Sequence, residues 1–241
     1  MKNSKYYEVA QHFDAKAHSY DDLHLVPDSI MGLHQWLRNH WTNKLARGKG
    51  RLLEIGCGTG INLTALSDRF ECVGIDVSTG MLRGCKSKKL TVSLASGEVL
   101  PFKRRTFDCV VCVNASQYIE DLFALFAEVD RVLKTKGLFV LDFKNRHCPR
   151  AVFHSCFRLL KREKEVDLEK RYSLHTIRNI MQGFEWKIDR IIGMEFHPFQ
   201  MNTNPSRSLV IKRIARIENM LASSWFNRFA GRIMLSVTAD H

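Results

Sequence analysis

Leu53-Glu54-Ile55-Gly56-Cys57-Gly58-Thr59-Gly60 is the stretch whose reading decides the fold. Leu52 to Ile55 is a short apolar run of strand type, and three glycines follow it at alternate positions. Glycine tolerates backbone angles and close approaches that other residues resist. A helix reading begins near Asn62, so the turn would present free N–H groups at a helix N-terminus to a ligand. The spacing is G-x-G-x-G rather than the G-x-G-x-x-G of dinucleotide binders. Twenty residues after Gly56, Asp76 ends a second apolar run, Cys72 to Asp76. An acidic side chain at the tip of that strand can accept hydrogen bonds from both hydroxyls of a ribose.

Outward from this pair the chain keeps alternating. Leu90–Leu94, Phe107–Val113 and Leu138–Phe143 read as further strands. A helix opens near Ser78, and Leu122–Leu133 is a strongly amphipathic one, with Leu122, Phe126, Val129 and Leu133 on one face. Strands and helices alternating every 20–30 residues predict a doubly wound, mostly parallel α/β sheet. Before it, the first 50 residues read as helical. Asp28 is placed to cap a helix running to about Ala46, with Ile30, Leu33, Trp36, Leu37 and Trp41 at helical spacing. After Lys144, His175–Gln182 reads as a helix and Phe184–Ile192 and Arg232–Thr238 as strands. The stretches 145–172 and 195–230 are long for plain connections and suit a substrate cap.

Composition narrows the classes. With 241 residues, 45% hydrophobic and 10% aromatic, the chain is too apolar to be disordered. The longest run free of Asp, Glu, Lys, Arg and His is Ile55–Ser67, 13 residues with three glycines. A membrane span needs about 18–20 apolar residues. The N-terminal MKNSKYYEVAQHF has no signal-peptide core, so a cytoplasmic location with reduced thiols is expected. Cys109 and Cys112 form a C-x-x-C inside the apolar run FDCVVCV. Residues three apart on a strand face opposite ways, so these read as buried thiols, and no metal ligand set is expected. The formal charge is +12. Met1–Asp142 contributes +3 of it and Phe143–His241 the other +9. Charge bears on partners rather than fold, and this asymmetry points the C-terminal part toward an anionic acceptor or surface.

At this point the sequence closely resembles the class I S-adenosylmethionine (SAM)-dependent methyltransferases that act on small molecules, quinones, lipids and sugars. Several elements occur in that family's order: His12-Phe13-Asp14-Ala15 with Ser19-Tyr20-Asp21, then Glu54–Gly60, Asp76, Glu98-Val99-Leu100-Pro101-Phe102, Phe107-Asp108, and Glu128–Lys134 with Gly137. The resemblance implies a seven-stranded Rossmann-like sheet with helical cap insertions, in one domain over 1–241. Residues 1–50 would form a helical lid, 51–144 the SAM-binding core, and 145–241 the substrate cap and last strands. It also implies roles. Glu54, Gly56, Cys57, Gly58 and Gly60 would hold the methionine part, with Glu54 near the amine. Asp76 would bind the ribose. Val77 and Met81 would line the adenine, Ser96, Gly97 and Glu98 would edge it, and Asn114 would lie beside the sulfonium.

The sequence departs from the family where Ser96 stands for a common Asp and Gln117-Tyr118 for a common His pair. Lys134-Thr135-Lys136-Gly137 lacks the usual Pro-Gly. Val113-Asn114-Ala115-Ser116 is not the N/D-P-P-Y of base-amine methylation, which argues against a nucleic-acid amine. The expected reaction is methyl transfer to a small-molecule or lipid-linked acceptor, at oxygen. The alternatives are an RNA methyltransferase and a non-catalytic SAM-binding subunit. Candidate catalytic residues are Tyr118 and His147, with His154 and His197 as further histidines of the cap stretches. Tyr20, Tyr118, Arg146 and Arg158 are candidate acceptor-binding residues. Eight basic residues between Arg146 and Arg171 alternate with Phe153, Phe157, Leu159 and Leu160. Aromatics recur in Met220–Phe229. The first segment would suit a phosphate or an anionic membrane surface; the second reads as packing, and would suit a lipid-linked acceptor.

Overall fold

The structure is a computed structural model that describes residues 5–27, 29–149, 168–196 and 208–240. Its frame is one seven-stranded sheet: β1 (Gly50–Ile55), β2 (Phe70–Asp76), β3 (Thr91–Leu94), β4 (Phe107–Cys112), β5 (Leu133–Lys144), β6 (Trp186–Met194) and β7 (Arg232–Ala239). The spatial order is β3-β2-β1-β4-β5-β7-β6. The five strands from β3 to β5 run parallel, while β7 is antiparallel to both β5 and β6. The order reverses between β1 and β4, and a crevice opens there at the carboxyl ends, as open α/β sheets require.

The helices are α1 (Lys5–Lys16), α2 (Tyr20–His24), α3 (Ile30–Leu45), α4 (Ile61–Leu66), α5 (Thr79–Ser87), α6 (Leu122–Val132), α7 (Leu174–Met181) and α8 (Ser208–Ala222). They cover both faces, so the central strands are apolar on both. On β4, Val110 and Cys112 enter one core with Leu125, Phe126 and Val129 of α6. Cys109 and Val111 enter the other, with Leu33, Leu37 and Trp41 of α3. The C-x-x-C thiols therefore lie on opposite faces of the sheet, each wholly buried. Fully burying one such aliphatic or aromatic side chain contributes about 1.5–3 kcal/mol.

α6 follows from its sequence. Leu122, Leu125, Phe126, Val129 and Val132 form one buried stripe. Asp121 caps it by accepting from the N–H groups of Phe123 (2.8 Å) and Ala124 (3.1 Å).

Three local expectations change. The cap of α3 is Ser29, whose Oγ accepts from Gly32 N at 2.9 Å; Asp28 lies outside the described residues. β5 begins at Leu133, not Leu138. α6 passes directly into it, and Lys134 pairs with Asp108 at the start of the neighbouring β4 at 2.8 Å, which holds that segment against β4. α8 occupies much of a stretch that had no helical reading. Among the described residues, no helix is long and apolar enough to cross a membrane.

Candidate active site

The glycine turn after β1 takes the backbone angles its residues allow. Gly56 and Gly58 have φ of +71° and +54°. A Cβ on Gly56 would stand 2.4 Å from Ala115 Cβ, so the turn after β4 packs directly on it. At Gly58 a Cβ would meet no atom within 4 Å, and the residue borders open space. That space is a cavity, partly open to solvent, at the carboxyl ends of β1, β2 and β4.

Asp76 closes the β2 end. Its Oδ2 accepts from Gly58 N and its Oδ1 from Ser78 N, both at 2.8 Å. Each oxygen keeps a lone pair for a ribose hydroxyl. Burial raises its pKa, against the pull of these backbone N–H groups. The β1 and β2 tips are tied further, since Gly56 N and Cys57 N both donate to Ile75 O.

Glu54 lies at the floor, 1% exposed. Its Oε1 accepts from Asn62 Nδ2 at 2.6 Å. Glu54 Oε2 and Asn62 Oδ1 are both buried without a hydrogen-bond partner. Burial pushes the Glu54 pKa up to about 8, and the Asn62 bond only partly opposes it. Two buried acceptors without donors, converging on one cavity, call for a cationic donor group. An ammonium has three N–H donors and suits them. The residues therefore fit SAM, whose amine would meet Glu54 and Asn62 and whose ribose would meet Asp76.

The N-terminal helices roof the cavity. Asp14 of α1 accepts at Oδ1 from Ser78 Oγ (2.6 Å) and Gly80 N (2.7 Å), which docks α1 on the start of α5. Phe13 meets the Tyr118 ring edge-on, with centroids 5.0 Å apart. Asp21 accepts from Thr59 Oγ1 at 2.5 Å and from Lys88 Nζ at 2.6 Å. Tyr20 lines the cavity and stacks on His24, and burial raises its pKa.

The far end rests on a buried charge network. Asn114 has φ +59°, its N–H donates to Asp142 Oδ1 (2.7 Å), and its Oδ1 accepts from Arg232 Nη2 (2.9 Å). Arg232 also pairs with Asp142 at 2.9 Å and with Glu195 at 3.3 Å. Burial alone would raise Glu195, but His34, Arg232 and Arg38 hold it well below the usual carboxylate range. Arg38 of α3 reaches the cavity from this network. Tyr118 also lines the cavity, and its hydroxyl donates to Glu169 Oε1 at 2.8 Å. Glu169 pairs with Lys144. Burial, then Glu169 itself, raises the Tyr118 pKa, while Lys144 keeps Glu169 ionised.

Of the sequence-predicted residues, Glu54, Gly56, Cys57, Gly58, Asp76, Val77, Met81, Gly97, Asn114, Tyr20 and Tyr118 line one cavity. Gly60 stands behind it as the N-cap of α4, with φ +82°. Ser96 and Glu98 do not line it. Ser96 Oγ accepts from Glu98 N, and the Glu98 carboxylate accepts from Asp121 N at the start of α6. Arg146 and His147 are exposed and stand outside the lining. Arg158, His154 and His197 lie outside the described residues. Sequence reasoning missed Asn62, Gln35 and Arg38. For Asn62 the signal was a second polar residue eight positions after Glu54, at the start of the next helix.

Comparison with known proteins agrees with this geometry. A methyltransferase domain family matches residues 53–141. An uncharacterised protein of Methanocaldococcus jannaschii is 33% identical over 157 residues, 61% of this chain and 75% of that protein. A demethylmenaquinone methyltransferase of Corynebacterium urealyticum is 31% identical over 145 residues, 59% of this chain and 62% of that protein. A malonyl-[acyl-carrier protein] O-methyltransferase of Geobacter sulfurreducens is 35% identical over 97 residues, 37% and 36% of the two chains. The chain thus spans less than two thirds of these last two relatives. Among solved structures, a Thermotoga maritima SAM-dependent methyltransferase, described as a possible histamine N-methyltransferase, superposes with a TM-score of 0.67. It covers 95% of this chain and 98% of its own at 18% identity, a likeness of fold.

Proposed function

Because this chain belongs to the class I SAM-dependent methyltransferases, we propose that it methylates a hydroxyl or carboxyl oxygen of a small-molecule or lipid-linked acceptor. The observation that carries this reading is Tyr118, which lines the cavity while its hydroxyl donates to Glu169. The Tyr118 oxygen is left as an acceptor for a hydroxyl brought into the cavity.

Bound SAM supplies a sulfonium methyl already activated for in-line displacement. The chain's work is then alignment, which can lower a barrier by several kcal/mol. Glu54, Asn62 and Asp76 would fix the two ends of SAM. Asn114, held by Asp142 and Arg232, would sit at the transfer point. Tyr118 would accept a hydrogen bond from the acceptor hydroxyl and aim a lone pair at the methyl. As the new bond forms, the hydroxyl proton passes to Tyr118 and the Tyr118 proton to Glu169. The Glu169 side chain is 31% exposed and returns the proton to water. An acceptor that is already a carboxylate needs no such relay, and there Tyr118 would donate to it.

The lipid-linked part of the reading is supported by the surface. Trp225, Phe226 and Phe229 are exposed beside Arg228, and α8 shows Lys212, Arg213 and Arg216 outward. Aromatics among basic residues suit peripheral contact with an anionic bilayer. The relatives' acceptors, a quinone in one case and an acyl-carrier-bound malonyl group in another, belong to the same broad class.

The test is transfer of labelled methyl from SAM into a cell extract, partitioned into lipid, small-molecule, RNA and protein fractions. Base-labile or ether-type label in the lipid or small-molecule fraction is expected. With that acceptor, Tyr118→Phe should lower kcat by about 10²-fold or more if it is a hydroxyl, with SAM affinity unchanged. Label confined to RNA would overturn the reading.

A further inference from the structure

α8 turns its charged and its largest apolar side chains to the same side. Arg213, Arg216, Ile217 and Met220 stand at positions i, i+3, i+4 and i+7, which one helix face collects. All four are exposed, Met220 at 79%, and Lys212 is exposed beside them. The opposite face, with Ile211, Glu218 and Ala222, is buried. Glu218 is the only acid between Ser208 and Gly231, and it is turned inward, where it accepts from Phe196 N at 2.8 Å. The outward face is thus cationic, with two large apolar side chains set among the cations. A helix that faces only water carries polar residues at such positions.

The turn Trp225–Phe229 packs beside α8. Its aromatic spacing reads as packing in the sequence, yet Trp225, Phe226 and Phe229 are all exposed, Trp225 at 60%. The backbone of the turn is braced from behind. Asn145, just after β5, donates to Arg228 O at 2.8 Å and to Ala230 O at 2.9 Å. A Cβ on Gly193 of β6 would stand 2.8 Å from Asn227 Cα, so the turn lies directly on that strand. Three residues after Phe229, Arg232 opens β7 and reaches Asn114 and Asp142 at the transfer end of the cavity. The aromatic turn therefore sits at the carboxyl edge of the sheet, the edge that also holds the cavity.

We propose that this surface docks the protein on an anionic lipid bilayer. Met220 and the three rings would enter the boundary between headgroups and acyl chains, while Lys212, Arg213, Arg216 and Arg228 face the phosphates. Docking so placed rests on the lipid-linked reading of the acceptor and assigns the face that meets the membrane. Basic and aromatic residues can also bind RNA, but the chemistry here favours the bilayer. RNA uses aromatic rings as stacking platforms, with a face open to each base. Trp225 lies against Phe226, with centroids 4.1 Å apart, and the Arg228 guanidinium is 5.0 Å from the Trp225 ring centre, so neighbours already crowd that ring. Ile217 and Met220 give a base nothing to stack on, whereas acyl chains accept both. Each cation near an anionic leaflet favours binding by roughly fivefold.

The experiment sediments the full-length protein with vesicles of phosphatidylcholine alone, or of equal parts phosphatidylcholine and phosphatidylglycerol, with no acceptor present. Binding to the anionic vesicles should be about tenfold tighter or more than to the neutral ones, and should fall with added salt. Brominated acyl chains should quench tryptophan emission in the unmodified protein and much less in Trp225→Phe. The double variants Arg213→Glu/Arg216→Glu and Phe226→Ser/Phe229→Ser should each bind about tenfold more weakly or less tightly still, with SAM affinity by calorimetry unchanged, which shows that both fold. Absence of vesicle binding, equal binding to the two compositions, or binding that both variants retain in full would overturn the docking. So would retention of RNA, or a concentration-dependent dimer, that the variants abolish in place of vesicle binding. The acceptor is judged separately. Vesicle binding without methyl label in the lipid fraction would remove the lipid-linked acceptor and keep the docking, whereas label in lipid without vesicle binding would remove the docking alone.

Discussion

Glu54 shows how a single residue couples burial to binding. In the free protein its pKa is raised to about 8 because water is excluded from it. An ammonium beside it would favour the carboxylate and bring that pKa down, so binding releases a proton at neutral pH. SAM affinity should therefore rise with pH from 6 to 8, by up to about tenfold per unit, and level off near pH 8. Calorimetry in buffers of different ionisation enthalpy would register the released proton, and Glu54→Gln should flatten the profile. A flat profile in the unmodified protein would place the amine elsewhere. The same shift bears on folding. A carboxyl whose folded pKa is raised stabilises the fold at pH below its ordinary value and loses that contribution as pH rises through 8. Glu54, Asp76 and the glycines were legible in the sequence because the strand–turn–strand that carries them is local. Asn62 and Arg38 were not. An Asn in a first helical turn reads as a solvent group, and Arg38 sits in an amphipathic helix where charge usually faces water.

At the scale of elements, the roof matters most. α1 is held to the site in part through Asp14, which satisfies two donors at the start of α5. Hydrogen bonds to a charged acceptor contribute about 1.5–3 kcal/mol each. Asp14→Ala should loosen α1 from α5 and speed SAM release by roughly tenfold or more, with the melting of the sheet core little changed. Stopped-flow dissociation of a fluorescent SAM analogue measures it, and an unchanged off-rate would show that α1 does not gate the cavity. That the N-terminal segment would lie over the cofactor was implied by the family resemblance, and Tyr6, Val9, Phe13 and Tyr20 do line the cavity. The partners of Asp14 were not legible, because they lie 64 and 66 positions away. α8 escaped notice for another reason. Its apolar positions are spread among basic residues, and only Ile211, Glu218 and Ala222 among its described side chains are buried.

Across the whole molecule, the antiparallel pair β6–β7 does more than finish the sheet. It brings Arg232 and Glu195 to the carboxyl ends of β4 and β5, where they brace Asn114. Nothing in the sequence ties Arg232 to Asn114, 118 positions apart; only the sheet order does. Removing one member of a buried charge network costs about 3–5 kcal/mol. Arg232→Met should thus lower the urea midpoint markedly and weaken catalysis even where it folds. An unchanged midpoint would mean the network is not the brace described. The charge asymmetry also looks different at this scale. Most of the described basic residues of the C-terminal part are exposed, but Arg232 is buried, balanced by Asp142 and Glu195.

Calorimetric titration of SAM into the unmodified protein and into Asp76→Ala tests whether SAM sits at the tips of β1 and β2. The ribose contacts of Asp76 are charge-assisted hydrogen bonds, so the variant should bind at least about 100-fold more weakly with an unaltered circular dichroism spectrum. Equal affinity in the two proteins would mean that the ribose is not held by Asp76.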